Sequence, residues 1–236
     1  MTVLQPCYWM TAAAGEQHPG SAFLTPERYL TAAELAQLST IRFAARRSDW
    51  LLGRWTVKSL IEKTTGISVF RLEVFQEAEG APFICADGSR MEGSISISHR
   101  GGRAFCAYCP QPGTAVGADL EVVEPRSAGF ERDYFTSGEL AWLEDVPARE
   151  RPAAVALVWS LKEAALKALK KGLRLDTRVI EIQPGPPAWL DALLWHPAEI
   201  TSALAAGPWR AVWKIEADQV WTLAALGEVL DFKQVI

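Results

Sequence analysis

The run Pro110-Gln111-Pro112-Gly113 is the strongest break in the chain, and it constrains the fold more than any other feature. Proline lacks a backbone donor and glycine favours turns, so neither a helix nor a central strand is expected to continue through this run. On each side lie several short strand-like stretches and one long amphipathic helical pattern. This order predicts an α+β protein with two similar subdomains, residues 1–112 and 113–236. We see no repeat between the two halves at the level of sequence.

Helix and strand signals follow one another in a similar order on both sides of the break. Thr31-Ala32-Ala33-Glu34 has the form of a capping box and predicts a short helix to about Leu38. Thr136, with Glu139 three residues later, predicts another. Long helices are predicted over 40–63 and 152–170. Strands are predicted at 67–76, 81–85, 94–98, 103–108, 115–121, 179–183, 209–215 and 220–225. Residues 184–207 are predicted to form surface connections.

Composition places the chain among ordinary globular proteins. It has 236 residues, of which 49% are hydrophobic and 22% charged, which excludes a disordered or fibrous chain. Lys and Arg number 24 and Asp and Glu 28, for a net charge of −4. This mild acidity argues against nucleic acid as the main partner. A chain of this length is expected to build a core without disulfides or a structural metal.

Targeting signals and cysteines predict the compartment. No apolar stretch approaches the length of a membrane-spanning helix, and the N-terminal residues lack the pattern of a secretory signal. Cys106 and Cys109 match C-x-x-C, but they lie on a strand-like pattern, and Cys7 and Cys85 do not form the second pair that a zinc site needs. We therefore expect reduced thiols in a cytoplasmic protein without a membrane partner.

The stretch Val116-Gly117-Ala118-Asp119-Leu120-Glu121 carries two carboxylates on a predicted strand. Side chains alternate along a strand, so Asp119 and Glu121 are expected on one face, about 6–7 Å apart. Two carboxylates this close repel unless a cation or proton lies between them, and hard oxygen ligands suit Mg²⁺. For an isolated pair, a solvated strand end is the alternative.

The second long helix carries Trp159-Ser160-Leu161-Lys162-Glu163 and, one turn later, Lys167. Glu163 and Lys167 are four residues apart and share a face, a spacing that is also typical of an ordinary surface ion pair. Trp159, Leu166 and Leu169 are expected to form the buried side of this helix.

Two groups in the first half have the chemistry to bind phosphate. Ser98-His99 ends a predicted strand and offers a hydroxyl and an imidazole. Adjacent Ser and His cannot readily meet as nucleophile and base, and the chain has no G-x-S-x-G elbow, so a serine hydrolase is disfavoured. Arg47, Arg54 and Lys58 lie at i, i+7 and i+11 on one face of the first long helix. Such a row either binds phosphates or is simply solvated.

Taken in order, these motifs resemble the 4′-phosphopantetheinyl transferases of the Sfp type. That family's pattern is an (I/V)-G-(I/V)-D-x-E strand followed, after a few dozen residues, by (F/W)-S-x-K-E-A-x-x-K. Residues 116–121 and 159–167 fit it. Ser98-His99, Gly80-Ala81-Pro82 and the arginine-rich helix match upstream landmarks, so the resemblance runs from about residue 32 to 182. The chain departs from the pattern at Ala118, in place of a branched residue, and at Ala81, in place of a common lysine.

The resemblance implies transfer of the phosphopantetheine arm of coenzyme A to a serine of an acyl or peptidyl carrier protein, releasing adenosine 3′,5′-bisphosphate. The implied fold is a pseudo-twofold pair of α+β subdomains with the active site in the cleft between them, in a monomer. The implied catalytic residues are Glu163, Lys167 and Asp119. The implied ligands of Mg²⁺, or of Mn²⁺, are Asp119, Glu121 and Glu163. The residues implied to bind coenzyme A are Arg47, Arg54, Ser98, His99 and Lys167.

The sequence leaves several alternatives open. Segment 122–145 is expected to dock the carrier protein through Phe130, Tyr134 and Phe135, unless these rings only pack the segment down. Lys162 either helps to position the carrier serine or lies on the surface. One rival function is a non-catalytic, coenzyme A-binding regulatory module, which would not need three carboxylates. The other is a Mg²⁺-dependent nucleotide hydrolase, although the chain lacks a P-loop.

Overall fold

The computed structural model describes residues 4–15, 25–171, 174–186, 194–205 and 207–236. The chain divides into two compact units, Met1–Gly113 with Leu230–Ile236, and Thr114–Val229. Each unit combines helices with mainly antiparallel strands, so the predicted α+β class is confirmed. No helix among the described residues is long and apolar enough to span a bilayer.

The first unit packs two helices on two sheets. Its helices are α1 (Ala32–Thr40) and α2 (Ala44–Thr65), and its strands are β1 (Cys7–Ala13), β2 (Leu72–Gln76), β3 (Pro82–Ala86), β4 (Ser89–Arg90), β5 (Ser94–Arg100), β6 (Arg103–Cys109) and β12 (Phe232–Gln234). The sheet orders are β12-β1-β6-β5 and β2-β3-β4. Val57, Leu60 and Ile61 of α2 form the core with Met10 and Cys106 of the first sheet.

The second unit has one five-stranded sheet. Its helices are α3 (Ala128–Tyr134), α4 (Ser137–Glu144) and α5 (Arg151–Ala168), and its strands are β7 (Ala115–Val122), β8 (Ile180–Gln183), β9 (His196–Ser202), β10 (Trp209–Glu216) and β11 (Gln219–Leu226). The sheet order is β7-β11-β10-β9-β8, and every neighbouring pair is antiparallel. Leu157, Leu161 and Leu166 of α5 pack in the core with Trp213 and Val220 of the sheet.

Both predicted capping boxes are confirmed. The Thr31 hydroxyl accepts a hydrogen bond from the Glu34 backbone N–H at the start of α1, and the Glu34 carboxylate accepts one from the Thr31 N–H. Thr136 and Glu139 make the same pair of bonds at the start of α4. These bonds satisfy backbone donors that the first turn of a helix leaves without an intrahelical partner.

The last residues of the chain correct the predicted boundary of the second half, 113–236. Residues 230–236 belong to the first unit, where β12 pairs in parallel with β1. Pairing between strands that are far apart along the chain leaves no local sequence pattern, so this pairing could not be predicted.

The prediction that residues 184–207 form only surface connections is wrong for β9. Ile200 of this strand is buried in the core, and Pro197 stands opposite Val212 of β10. A proline inside a short strand argues against strand structure when only the sequence is read. Residues 187–193 and 206 lie outside the described part of the chain.

The two units share one order of elements, apart from β4 and β12 in the first unit and α3 in the second, and this order aligns short stretches of sequence that were not matched from the sequence alone. The order β1, α1, α2, β2, β3, β5, β6 recurs as β7, α4, α5, β8, β9, β10, β11. Aligned in this way, TAAELAQL at residues 31–38 corresponds to TSGELAWL at 136–143. WTVK at 55–58 corresponds to WSLK at 159–162. The similarity is confined to short stretches, and the common order of elements is what makes it visible.

Candidate active site

Strand β7 presents a glycine and two carboxylates toward α5. Gly117, Asp119 and Glu121 occupy every second position of the strand, so their side chains share one face. In the register with β11, they stand opposite Ala224, Thr222 and Val220. Helix α5 packs on both β7 and β11, so residues of the second predicted motif lie above those of the first.

Gly117 sets the distance between α5 and β7. A Cβ atom at this position would overlap the backbone carbonyl of Ala164 and lie 3.0 Å from the backbone nitrogen of Ala168. The helix backbone therefore lies directly on the strand, without a side chain between them. The sequence motif contains this glycine, but the close approach that explains it becomes visible only in the structure.

Asp119 is the best-connected acid of the site and is 4% exposed. Its Oδ1 accepts a hydrogen bond of 2.6 Å from Lys167 Nζ, which also donates to the carbonyl of Ala118 at 3.1 Å. Its Oδ2 accepts a bond of 2.8 Å from the Ser160 hydroxyl, which lies 2.9 Å from Thr222 Oγ1. Sequence reasoning missed Ser160 and Thr222 as supports of Asp119, although Ser160 is part of the quoted motif.

Glu163 has a strongly perturbed carboxyl group. Burial raises the pKa of Glu163 to about 7; the Lys167 ammonium opposes this shift, and the negative charges of Asp119 and Glu121 reinforce it. The charges of Asp119 and Glu121 thus affect the protonation of Glu163. Acids that perturb one another in this way are common at active sites. Such a group can take up or release a proton near neutral pH.

The residues present fit a hard divalent cation. Asp119, Glu121 and Glu163 supply carboxylate oxygens, the ligands that Mg²⁺ prefers. Lys167 supplies one positive charge to this group of three acids. Among the described residues, no three His, Cys, Asp or Glu side chains already stand in the geometry of a metal site. The fit to the ion therefore rests on the type of ligand atom, carboxylate oxygen, and not on a preformed arrangement of these side chains.

Ser98 and His99 lie near the end of β5 in the first unit. Ser98 is buried, and His99 Nδ1 lies 3.9 Å from Asp49 Oδ2 of α2. Gly53 of α2 makes room here, because a Cβ atom would stand 3.0 Å from Ile97 and 3.7 Å from His99 Cδ2. The glycine lets the arginine-bearing helix lie close to this histidine.

Of the two readings of the Arg47, Arg54 and Lys58 row, a solvated helix face is wrong for Arg54 and Lys58. Lys58 is fully buried and donates to Glu34 Oε2 at 2.5 Å. Arg54 is 5% exposed; its Nε lies 3.7 Å from Glu34 Oε1, and its guanidinium lies over the Trp50 ring at 4.6 Å. Burial lowers the pKa of Arg54. Only Arg47 is exposed, and it donates to the Leu38 carbonyl.

Lys162 does not lie on the surface, contrary to one of the two predicted readings, and its ammonium does not face solvent. It is fully buried, with Nζ 2.9 Å from Glu139 Oε2. It also donates to the backbone carbonyls of Thr177 and Ile180. All of these partners are groups of the protein itself, so Lys162 binds neighbouring elements of the fold together.

The aromatic residues of segment 122–145 pack mainly against the protein. Phe135 is 2% exposed and belongs to the core. The Phe130 and Tyr134 rings contact Trp159, with centroids 5.0 and 5.1 Å away. Tyr134 keeps 38% of its surface exposed. These contacts favour the alternative reading, in which the rings hold the segment down on α5.

Comparison with known proteins gives one consistent family. The sequence profile described as the 4′-phosphopantetheinyl transferase superfamily matches residues 115–215. The chain is 28% identical over 180 residues to the 4′-phosphopantetheinyl transferase HetI of Nostoc sp., covering 72% of this chain and 73% of that protein. It is 28% identical over 125 residues to the 4′-phosphopantetheinyl transferase Sfp of Bacillus subtilis, so the match spans 53% of each chain.

A solved structure of a holo-[acyl-carrier-protein] synthase from Neisseria meningitidis is also similar. It has a TM-score of 0.40 and 16% sequence identity, and the match covers 48% of this chain and 98% of that one.

Proposed function

The chain belongs to the 4′-phosphopantetheinyl transferase superfamily, and on this premise we propose that it transfers the phosphopantetheine arm of coenzyme A to a serine of an acyl or peptidyl carrier protein. Adenosine 3′,5′-bisphosphate is the proposed leaving group. The observation that carries the proposal is the contact of Lys167 with Asp119 beneath α5, because it joins the two halves of the family motif in one site. Asp119, Glu121, Glu163 and Lys167 together supply the carboxylates and the cation that suit the handling of a pyrophosphate.

In the proposed reaction, the serine oxygen attacks the phosphorus that carries the pantetheine arm, and the bond from that phosphorus to the oxygen bridging the two phosphates breaks. Glu163 takes the proton of the serine hydroxyl. A cation beside a carboxylate lowers its pKa, so with Mg²⁺ bound the position of Glu163, more than its basicity, favours this transfer. Lys167, held by Asp119 at 2.6 Å, places a positive charge beside the phosphates. Ser160 fixes the other oxygen of Asp119, so that the acid and the lysine keep one orientation.

Asp119, Glu121 and Glu163 are the proposed ligands of Mg²⁺, or of Mn²⁺. When bound, the ion supplies positive charge to the pyrophosphate as negative charge develops on the leaving group. Arg47, Arg54, Ser98, His99 and Lys167 are the proposed contacts of coenzyme A. Of the two α2 arginines in this set, the exposed Arg47 is the readier to bind a phosphate from solvent, since Arg54 is buried beside Glu34.

We further propose that the protein works as a monomer in the cytoplasm. The monomer is supported by the origin of Asp119, Glu121, Glu163 and Lys167 in one unit of one chain. The compartment is supported by the cysteines, since Cys7, Cys85, Cys106 and Cys109 form no disulfide with one another.

The proposal is tested by mass. Incubation with coenzyme A, Mg²⁺ and an apo carrier protein should increase the mass of the carrier by one phosphopantetheine arm, and a chelator should stop the reaction. The matched control is a carrier whose acceptor serine is replaced by Ala, which should gain nothing. No gain with several carriers, together with tight binding of coenzyme A, would instead favour the regulatory module. Transfer that is unaffected by chelator would remove the metal from the proposal.

Glu163 gives the metal-free protein a specific dependence of stability on pH. Its pKa is about 7 in the folded state and near 4.5 in the unfolded chain, so the folded state binds more protons between these values. The contribution of Glu163 to the free energy of unfolding is therefore present below pH 4.5 and is lost as pH rises through 7. We expect the melting temperature of the wild type to fall between about pH 5 and 8, relative to that of Glu163→Gln.

Mg²⁺ should reverse this loss at pH 8 in the wild type, because a ligand that binds only the folded state stabilises it. The same addition should stabilise Glu163→Gln less. Thermal unfolding followed by circular dichroism at several pH values, with and without Mg²⁺, measures both effects. Identical pH slopes for the two proteins would contradict the assigned pKa of Glu163.

A further inference from the structure

The buried ion pair of Glu139 and Lys162 connects three elements of the second unit. Glu139 lies in the first turn of α4 and Lys162 lies on α5, and both side chains are fully buried, with Nζ and Oε2 2.9 Å apart. Glu139 Oε1 accepts a bond of 2.8 Å from the N–H of Ile182 on β8. Lys162 Nζ donates to the Ile180 carbonyl of the same strand at 2.6 Å. One carboxylate and one ammonium therefore fix α5 to α4 and to β8.

The first unit contains the same arrangement at corresponding positions. Glu34 lies in the first turn of α1, and its Oε2 lies 2.5 Å from Nζ of Lys58 on α2. Its Oε1 accepts a bond of 3.2 Å from the N–H of Val74 on β2, as Glu139 does from Ile182. Lys58 also donates to a backbone carbonyl, that of Tyr29. The structure thus uses one connection twice, each time between a capping-box glutamate and a lysine of the long helix.

The two copies differ at the next residue of the long helix. Ser59 follows Lys58 in α2, whereas Glu163 follows Lys162 in α5. Successive helical residues project about 100° apart, because a turn takes 3.6 residues. Lys162, which is anchored by α4 and β8, therefore fixes the rotation of α5 at the position immediately before Glu163. In the first unit, the same anchor fixes a serine instead of an acid.

From this geometry we infer that Glu139 and Lys162 are positioning residues for the carboxylate site, acting through the rotation and height of α5. The expected effect on the transfer rate rests on the proposed function. The expected effect on the positions of Glu163 and Lys167 relative to β7 does not. Lys162 makes no contact with substrate in this scheme. A shift of about 1 Å in a catalytic group is enough to cost roughly 100-fold in rate.

The test replaces the charged pair by a neutral pair of similar size, Glu139→Gln with Lys162→Met. Removing only one partner would leave a buried charge uncompensated and could unfold the protein, whereas a neutral pair often preserves stability. We expect a folded double variant whose affinity for Mg²⁺, measured by calorimetry on the protein alone, is about 10- to 100-fold weaker. The kcat at saturating coenzyme A should fall by a similar factor, while the KM for coenzyme A should stay within about 2-fold.

The matched control is Glu34→Gln with Lys58→Met, which removes the corresponding pair of the first unit. Because Glu34 also lies beside the buried Arg54, the thermal stability of this control should fall at least as far as that of the first double variant, whereas its Mg²⁺ affinity should equal that of the wild type. Wild-type Mg²⁺ affinity and kcat in the Glu139 and Lys162 variant would overturn the inference. Equal losses of Mg²⁺ affinity in both double variants would also overturn it, because they would indicate a general effect of stability.

A second variant covers the case in which the double variant does not fold. Glu139→Asp keeps the charge and shortens the carboxylate by one methylene, so it should weaken Mg²⁺ binding in the same direction by a smaller factor; unchanged affinity would overturn the inference. If the wild-type protein binds Mg²⁺ but transfers nothing, the proposed function is rejected. The Mg²⁺ affinities of the wild type and the variants then still decide whether Glu139 and Lys162 position the carboxylate site. A wild type that binds no Mg²⁺ would reject the inference, because there would be no ion site to position.

Discussion

Glu163→Gln should reduce transfer by roughly 10²- to 10⁴-fold, the range that a positioned general base contributes. The amide has nearly the shape of the carboxyl group, but it can neither accept the serine proton nor carry negative charge toward a cation. The fold should survive, because burial already disfavours the charged form of Glu163 and raises its pKa to about 7. Initial rates with coenzyme A, Mg²⁺ and an apo carrier protein, together with a melting curve, measure both effects.

The matched control for this prediction is Glu144→Gln. Glu144 is the last residue of α4, is exposed, and is also converted from acid to amide by this change. Its transfer rate should stay within about 2-fold of the wild-type rate, since an exposed carboxylate away from the site contributes little. Near-wild-type turnover by Glu163→Gln would remove Glu163 from the proposed mechanism, even if the other two acids still mattered.

Gly117→Ala should cause a larger loss of stability than Gly→Ala at Gly129, Gly138, Gly185 or Gly207 of the second unit. The added Cβ would overlap the carbonyl of Ala164, and a backbone carbonyl inside a helix cannot rotate away as a side chain can. Either α5 moves off β7 or the strand bends, so we expect a loss of about 3 kcal/mol or more in the free energy of unfolding. Urea unfolding followed by tryptophan fluorescence measures this loss.

The same substitution should also remove transfer activity in the protein that remains folded. Lys167 reaches Asp119 across the α5–β7 contact, so displacing the helix lengthens the 2.6 Å bond between them. Gly129→Ala is the matched control, because a Cβ there would meet only ordinary contacts, the nearest being Ser127 Oγ at 3.6 Å. Gly129 lies in α3, where alanine is the better helix former, so this variant should be as stable as the wild type or slightly more stable. Equal stability of the two variants would contradict the role assigned to Gly117.

Local patterns predicted the elements that carry the site. Each capping box involves residues only three apart, and both formed where the sequence placed them. The alternation that places Asp119 and Glu121 on one face needs only a strand, and the shared face of Glu163 and Lys167 needs only a helix. The start of α2 at Ala44 rather than near residue 40 was not predicted, because α1 itself extends to Thr40.

The burial of charged side chains was the property that was predicted least well. Lys58 and Lys162 occupy positions that a helical pattern assigns to solvent, yet both are fully buried. A lysine can be buried when a distant carboxylate and backbone carbonyls surround its ammonium, as Glu34 and Glu139 do here. Their partners lie in other elements of the fold, so no window along the chain contains both members of a pair.

The sequence by itself determined the class of elements, their order and the two acid-bearing motifs, because these depend on residues a few positions apart. Tertiary structure decided which of the charged residues are buried, which strand pairs with β1 at its outer edge, and how closely α5 lies on β7. Each of these depends on groups brought together from distant parts of the chain. The position of Lys167 against Asp119 shows both contributions: spacing places Lys167 on the same face as Glu163, and the absence of a side chain at Gly117 allows the contact.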